Sequence, residues 1–162
     1  MIRIMFICHG NICRSPMAEF VFKNMVQQRG LSDQFEITSS GTSSEELGNP
    51  IYRRVVDTLH KYSIPFDDHR SNTLKKSDYD RYDYLIAMDK WNISNTLRIL
   101  GGDPEEKVCR FLDFSDVPRD IADPWYTRQF DVCYEDIVEA CEFFIQYLID
   151  SGKISQSEKA EI

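Results

Sequence analysis

The stretch Ile2-Arg3-Ile4-Met5-Phe6-Ile7-Cys8-His9-Gly10-Asn11-Ile12-Cys13-Arg14-Ser15-Pro16 decides the reading of this chain. Ile2, Ile4, Met5, Phe6 and Ile7 are short-range apolar and rich in β-branching, with Arg3 the one polar interruption, so they predict a buried strand. Pro16 suits the first turn of a helix, and Ser15 before it reads as the N-cap. Met17, Phe20, Val21 and Met25 then recur at helical spacing until Gly30 stops them. Cys8 therefore falls at the carboxyl end of a strand, on a loop that feeds a helix N-terminus. Backbone N–H groups converge at such a point and the helix dipole favours an anion. The same field favours the thiolate of Cys8, the nucleophilic form of a cysteine. Arg14 presents a planar fork able to hold two phosphate oxygens at once. Gly10 and Asn11 suit a loop that needs tight or left-handed backbone.

Outward from this loop the pattern alternates. Phe35–Ser39 predicts a second strand, Ile51–Tyr62 a helix entered at Asn49-Pro50, and Tyr84–Met88 a buried strand. Trp91–Leu100 predicts a helix closed by Gly101-Gly102, and Val108–Leu112 a fourth strand. From Asp131 onward, Tyr134, Ile137, Val138, Cys141, Ile145 and Leu148 mark one face of a long last helix. Strand and helix in alternation imply a parallel sheet covered on both faces, an α/β domain whose ligands bind beyond the carboxyl ends of the strands. The expectation is one doubly wound domain over residues 1–150, followed by a polar, fraying tail over 151–162.

Bulk properties narrow the partners. A chain of 162 residues has the length of one domain with a full core, and its net charge of −8 argues against a nucleic-acid surface. No apolar stretch has transmembrane length, so no membrane partner is expected. The N-terminal run is broken by His9-Gly10-Asn11 and lacks a small-residue cleavage site, unlike a signal peptide. Five cysteines, an odd number, then point to free thiols in the cytoplasm.

Cysteine, five residues, arginine and serine, set between a strand and a helix near the N-terminus, resembles the signature of the low-molecular-weight protein tyrosine phosphatases. That resemblance implies a four-stranded parallel sheet in a doubly wound domain and hydrolysis of phosphotyrosine through a phosphocysteine intermediate. It implies no metal and no cofactor, phosphotyrosine-containing proteins or peptides as substrates, and inorganic phosphate as product. Such chemistry needs an acid to protonate the leaving oxygen. Asp123, in Ala122-Asp123-Pro124-Trp125-Tyr126, resembles the family's late acid loop, and Pro124 restrains it to extended backbone. Trp125 and Tyr126 are either core or the walls of a slot stacking a phenyl ring, deep enough to exclude phosphoserine.

By position in the family, Cys8, Arg14 and Asp123 are the catalytic candidates. His9, Gly10, Asn11, Ile12, Cys13, Ser15, Glu46, Trp125 and Tyr126 are the substrate-binding ones. Asn11 is expected to hold the loop's shape, Ser15 to donate a hydrogen bond to Cys8, and His69 to support Asn11. Asp89 matches a family position near the loop without a role of its own being evident. Cys8 and Cys13 form a candidate redox pair, since a sulfenic acid at Cys8 can be resolved by a neighbouring thiol. The chain departs from the family at His9, a cation near Cys8, at Glu45 and Glu46 where many relatives place an aromatic, and at Tyr52-Arg53-Arg54.

Four rival readings share parts of this pattern. Arginine phosphatases of the same fold carry threonine where this chain has Ile12 and lack the paired aromatics. Arsenate reductases relay a disulfide through mid-chain cysteines, and none stands between Cys13 and Cys109. A non-catalytic phosphate-binding or thiol redox module needs no acid, and a zinc site on Cys8 and Cys13 lacks a second pair of ligands.

Overall fold

The structure is a computed structural model and describes residues 1–155. Four strands, β1 (Ile2–Cys8), β2 (Phe35–Gly41), β3 (Tyr84–Ala87) and β4 (Val108–Arg110), form one parallel sheet in the order β2-β1-β3-β4. Six helices accompany them: α1 (Arg14–Gln28), α2 (Arg53–Lys61), α3 (Asp78–Arg81), α4 (Lys90–Leu100), α5 (Pro124–Thr127) and α6 (Phe130–Asp150). The expected doubly wound α/β domain is what forms.

Period-two alternation in β1 splits the core in two. Ile4, Phe6 and Cys8 face the larger cluster beneath α1, α2 and α6, while Met5 and Ile7 face Leu74, Tyr79, Tyr82, Leu85 and Leu100 beneath α3 and α4. An aromatic group anchors the first side: the Phe6 ring lies 5.7 Å from Phe22 and 5.0 Å from Phe111, and Phe22 lies 5.6 Å from Phe144. The chain leaves β1 for β2 on one side and later returns to β3 on the other. The crevice of this switch opens at the carboxyl end of β1, where Cys8 sits.

Several boundaries differ from the sequence reading. Helix α1 begins at Arg14, with Cys13 in the cap position and no side-chain cap, so Ser15 is not an N-cap. Its hydroxyl is instead drawn under the loop. Strand β2 runs on through Ser40 and Gly41, both buried beside the loop. Tyr52 is extended, which delays α2 to Arg53, and Phe111 and Leu112 turn away from β4 in a short 3-10 segment. Gly30 and Gly101 stop their helices as expected, with φ of 71° and 78°. Helices α3 and α5, of four residues each, were not anticipated. After α6 the chain turns back: Ile154 is buried and Ser155 exchanges hydrogen bonds of 2.8 and 3.1 Å with Gln34. The remainder of the expected tail, 156–162, lies outside the described residues.

Candidate active site

The loop from Cys8 to Arg14 is shaped by what its carbonyls bond to. Thr42 N donates to Cys8 O at 2.9 Å, Ser43 N to His9 O at 3.0 Å, Ser71 Oγ to Gly10 O at 2.8 Å and Tyr52 N to Ile12 O at 2.9 Å. In a trans peptide the following N–H points opposite to the carbonyl. Outward-held carbonyls therefore turn the amides of His9, Gly10, Asn11 and Cys13 toward the loop's centre, a cradle for an anion. Asn11 takes the left-handed conformation this curl needs, with φ of 58°. Gly41 is required beside it, because a Cβ there would stand 2.7 Å from His9 O.

Beneath the cradle lies a closed polar network. Asn11 Nδ2 donates to Ser15 Oγ at 2.7 Å and to Ser39 Oγ at 3.1 Å, and Ser39 Oγ donates to Glu19 Oε1 at 2.6 Å. His69 Nε2 meets Asn11 Oδ1 at 2.9 Å, and Asn72 N donates to the same oxygen at 3.1 Å. Ser15 Oγ accepts from Asn11, and its one proton has two acceptors in reach, Cys8 Sγ at 3.0 Å and Ser40 O at 3.4 Å, the sulfur being the nearer. Asn11 and Ser15 are fully buried, so their side chains support the loop and do not reach the cavity.

Arg14 closes the loop with its side chain only 3% exposed. Its Nη1 donates to Asp89 Oδ2 at 2.6 Å and to Ile121 O at 2.8 Å, while Nη2 approaches Asp123 Oδ2 at 3.5 Å. Burial opposes the charged guanidinium, yet Cys8, Asp123 and Asp89 outweigh it and hold Arg14 protonated above the ordinary arginine range. Asp89 thus acquires a role that its sequence position alone did not reveal. It caps α4 by accepting from Asn92 N at 2.7 Å and aims Arg14 with its other oxygen.

Asp123 is extended before Pro124, as its sequence context predicted, and its Oδ1 caps α5 by accepting from Trp125 N at 3.0 Å. One cavity is lined by Cys8, His9, Gly10, Ile12, Cys13, Arg14, Glu45, Glu46, Asp123, Trp125 and Tyr126. Trp125 and Tyr126 are 43% and 81% exposed, so they wall the mouth instead of filling the core. His9 faces outward to Glu45 Oε2 at 3.4 Å, and Glu46 packs over Gly10 while accepting from Asn49 Nδ2 at 2.7 Å. Burial pushes the Cys13 thiol up, with Cys8 and Asp123 adding and Arg14 partly offsetting.

Sequence reasoning passed over Glu19, Ser39, Gly41, Ser71 and Asn72. Glu19 left one signal: a carboxylate inside α1 between Met17 and Phe20, where an apolar face was otherwise forming. The others pair through loops distant in sequence, which periodicity does not record.

A thiol, a buried arginine and a carboxylate around a cradle of amides define a cysteine-dependent phosphatase on a doubly wound sheet. The sequence profile of the family described as low molecular weight phosphotyrosine protein phosphatase matches residues 3–154, and the chain belongs to that family. It is 34% identical over 157 residues to the low molecular weight protein-tyrosine-phosphatase PtpA of Staphylococcus epidermidis, covering 96% of this chain and 99% of that one. Among solved structures it resembles YfkJ from Bacillus subtilis, with 32% identity, a TM-score of 0.89 and coverage of 93% and 96%. It also resembles a low molecular weight protein tyrosine phosphatase from Streptococcus pyogenes, with 34% identity, a TM-score of 0.84 and coverage of 94% and 97%.

Proposed function

We propose that the protein hydrolyses phosphotyrosine in polypeptides, with Cys8 as nucleophile, Arg14 and the loop amides as oxyanion holders, and Asp123 as general acid and base. The observation that carries this reading is that all three side chains line one cavity whose rim is Trp125 and Tyr126. Cys8 sulfur bonds to phosphorus as the phosphorus–phenolic oxygen bond breaks, and Asp123 gives that oxygen its proton. Asp123, now a carboxylate, takes a proton from water, whose oxygen attacks phosphorus. The sulfur–phosphorus bond breaks, inorganic phosphate leaves and the thiolate accepts the Ser15 hydrogen bond. Arg14 is positioned for charge that develops on the equatorial oxygens. The chemistry requires a reduced Cys8, which fits a reducing compartment such as the cytoplasm.

The test is steady-state turnover of phosphotyrosine, phosphoserine and phosphoarginine by the purified protein in the presence of a chelator. Phosphotyrosine is expected to be hydrolysed fastest by a wide margin, because Ile12 lines the cavity and the aromatics stack a ring. Cys8→Ser is expected to abolish turnover while vanadate still binds. Residual activity within tenfold of wild type would remove Cys8 from the mechanism, and faster phosphoarginine turnover would replace the substrate class.

A further inference from the structure

Beside the mouth runs a second groove that the chemistry above does not use. Arg54, Asp57 and Lys61 line it from α2, and Arg128, Phe130 and Asp131 from the junction of α5 and α6. Arg128 sits at φ of 61°, a conformation natural to glycine and strained for a long side chain. From there its Nη2 donates to Tyr52 Oη at 2.9 Å and its Nη1 to Trp125 O at 3.3 Å, both neutral acceptors. Its guanidinium lies 5.3 Å from the centre of the Phe130 ring, and that of Arg54 lies 5.0 Å from the same ring. The Tyr52 ring lies 4.9 Å from Trp125, so the stack runs from the groove to the wall of the slot.

Charge in the groove is unbalanced. Asp131 is taken up by Lys61 at 3.0 Å and Tyr62 Oη at 3.0 Å, which leaves Asp57 to offset two exposed guanidiniums. On a chain of net charge −8 that is a local positive patch, and the other wall of the mouth carries Glu45 and Glu46.

We infer that Arg54 and Arg128 form a subsite for a carboxylate side chain of the substrate polypeptide, close in sequence to its phosphotyrosine. The inference rests on the phosphotyrosine reading above and adds the preferred surroundings of that residue. A peptide lying with its ring between Trp125 and Tyr126 passes over Tyr52 on one side, and an Asp or Glu there meets both cations.

The experiment compares kcat/KM for phosphotyrosine peptides carrying Glu or Gln at single flanking positions, with 4-nitrophenyl phosphate as the substrate that has no flanks. Wild type is expected to favour Glu on one side of the phosphotyrosine by about three- to tenfold at low salt, through KM, and less at high salt. Arg54→Gln is expected to remove most of that ratio and Arg54→Glu to reverse it. Arg128→Gly is expected to lose the ratio while keeping or raising the melting temperature, since the backbone strain is relieved. Equal values for Glu and Gln peptides in wild type, or a ratio unmoved in Arg54→Glu, would overturn the subsite. So would a lowered melting temperature with the ratio intact in Arg128→Gly, which would make Arg128 a structural strut. Failure to hydrolyse 4-nitrophenyl phosphate or any peptide would strike the phosphatase reading instead.

Discussion

At the scale of single residues, the two oxygens of one carboxylate have different surroundings. Asp123 has one oxygen committed to the α5 cap and the other facing the cavity. Asp123→Asn keeps the cap acceptor but has no proton to give, so kcat for a phenolic ester is expected to fall by about 10²–10⁴. The loss shrinks for leaving groups of low pKa; an equal loss across a leaving-group series would contradict the assignment. Cys13 poses a different question. Peroxide would convert the Cys8 thiolate to a sulfenic acid, and condensation with the Cys13 thiol would release water and form a disulfide. Burial holds Cys13 protonated, so the resolving step is expected to quicken as pH rises, about tenfold per unit while its thiolate fraction is small. Recovery by dithiothreitol after peroxide is expected to be high in wild type and much lower in Cys13→Ser. Equal recovery would leave Cys13 a packing residue.

At the scale of elements, the catalytic loop and its flanking strand and helix were legible because they are contiguous and strongly patterned. β1, the Gly30 and Gly101 stops and the long α6 follow from apolar period and glycine placement. The reading of Ser15 as a cap failed because local preference cannot register a competing partner seven residues back, the Cys8 sulfur. The same limit hid the role of Asp89, whose partner Arg14 is 75 residues away. The segment that delivers Asp123 depends on such a distant tie: Arg119 donates to Asp136 at 2.9 Å and to Glu139 at 3.0 Å on α6. Hydrogen bonds from Arg119 and Ser115 hold the Glu139 carboxyl below its usual range. A depressed carboxylate adds stability above its unfolded value and loses it as pH falls through its folded one. Arg119→Ala is therefore expected to cost about 1 kcal/mol at neutral pH, this being a partly exposed network, and progressively less below pH ~4. Thermal unfolding of the two proteins from pH 7 to pH 3 measures it, and a difference independent of pH would refute the account.

At the scale of the whole molecule, both ends of the described chain meet at one pole. Ile2 pairs with Phe35 at the start of the sheet, and Ser155 bonds Gln34, the residue just before it. Cys8 ends β1 at the other pole, six residues and roughly 20 Å from Ile2 along the strand. The molecule therefore has a handle and a working end. Attachment at residue 1 therefore leaves the mouth presented outward, away from the point of attachment. Turnover of a protein substrate by the enzyme immobilised through residue 1 is expected to match that in solution, whereas attachment at the Glu45–Glu46 rim would occlude it.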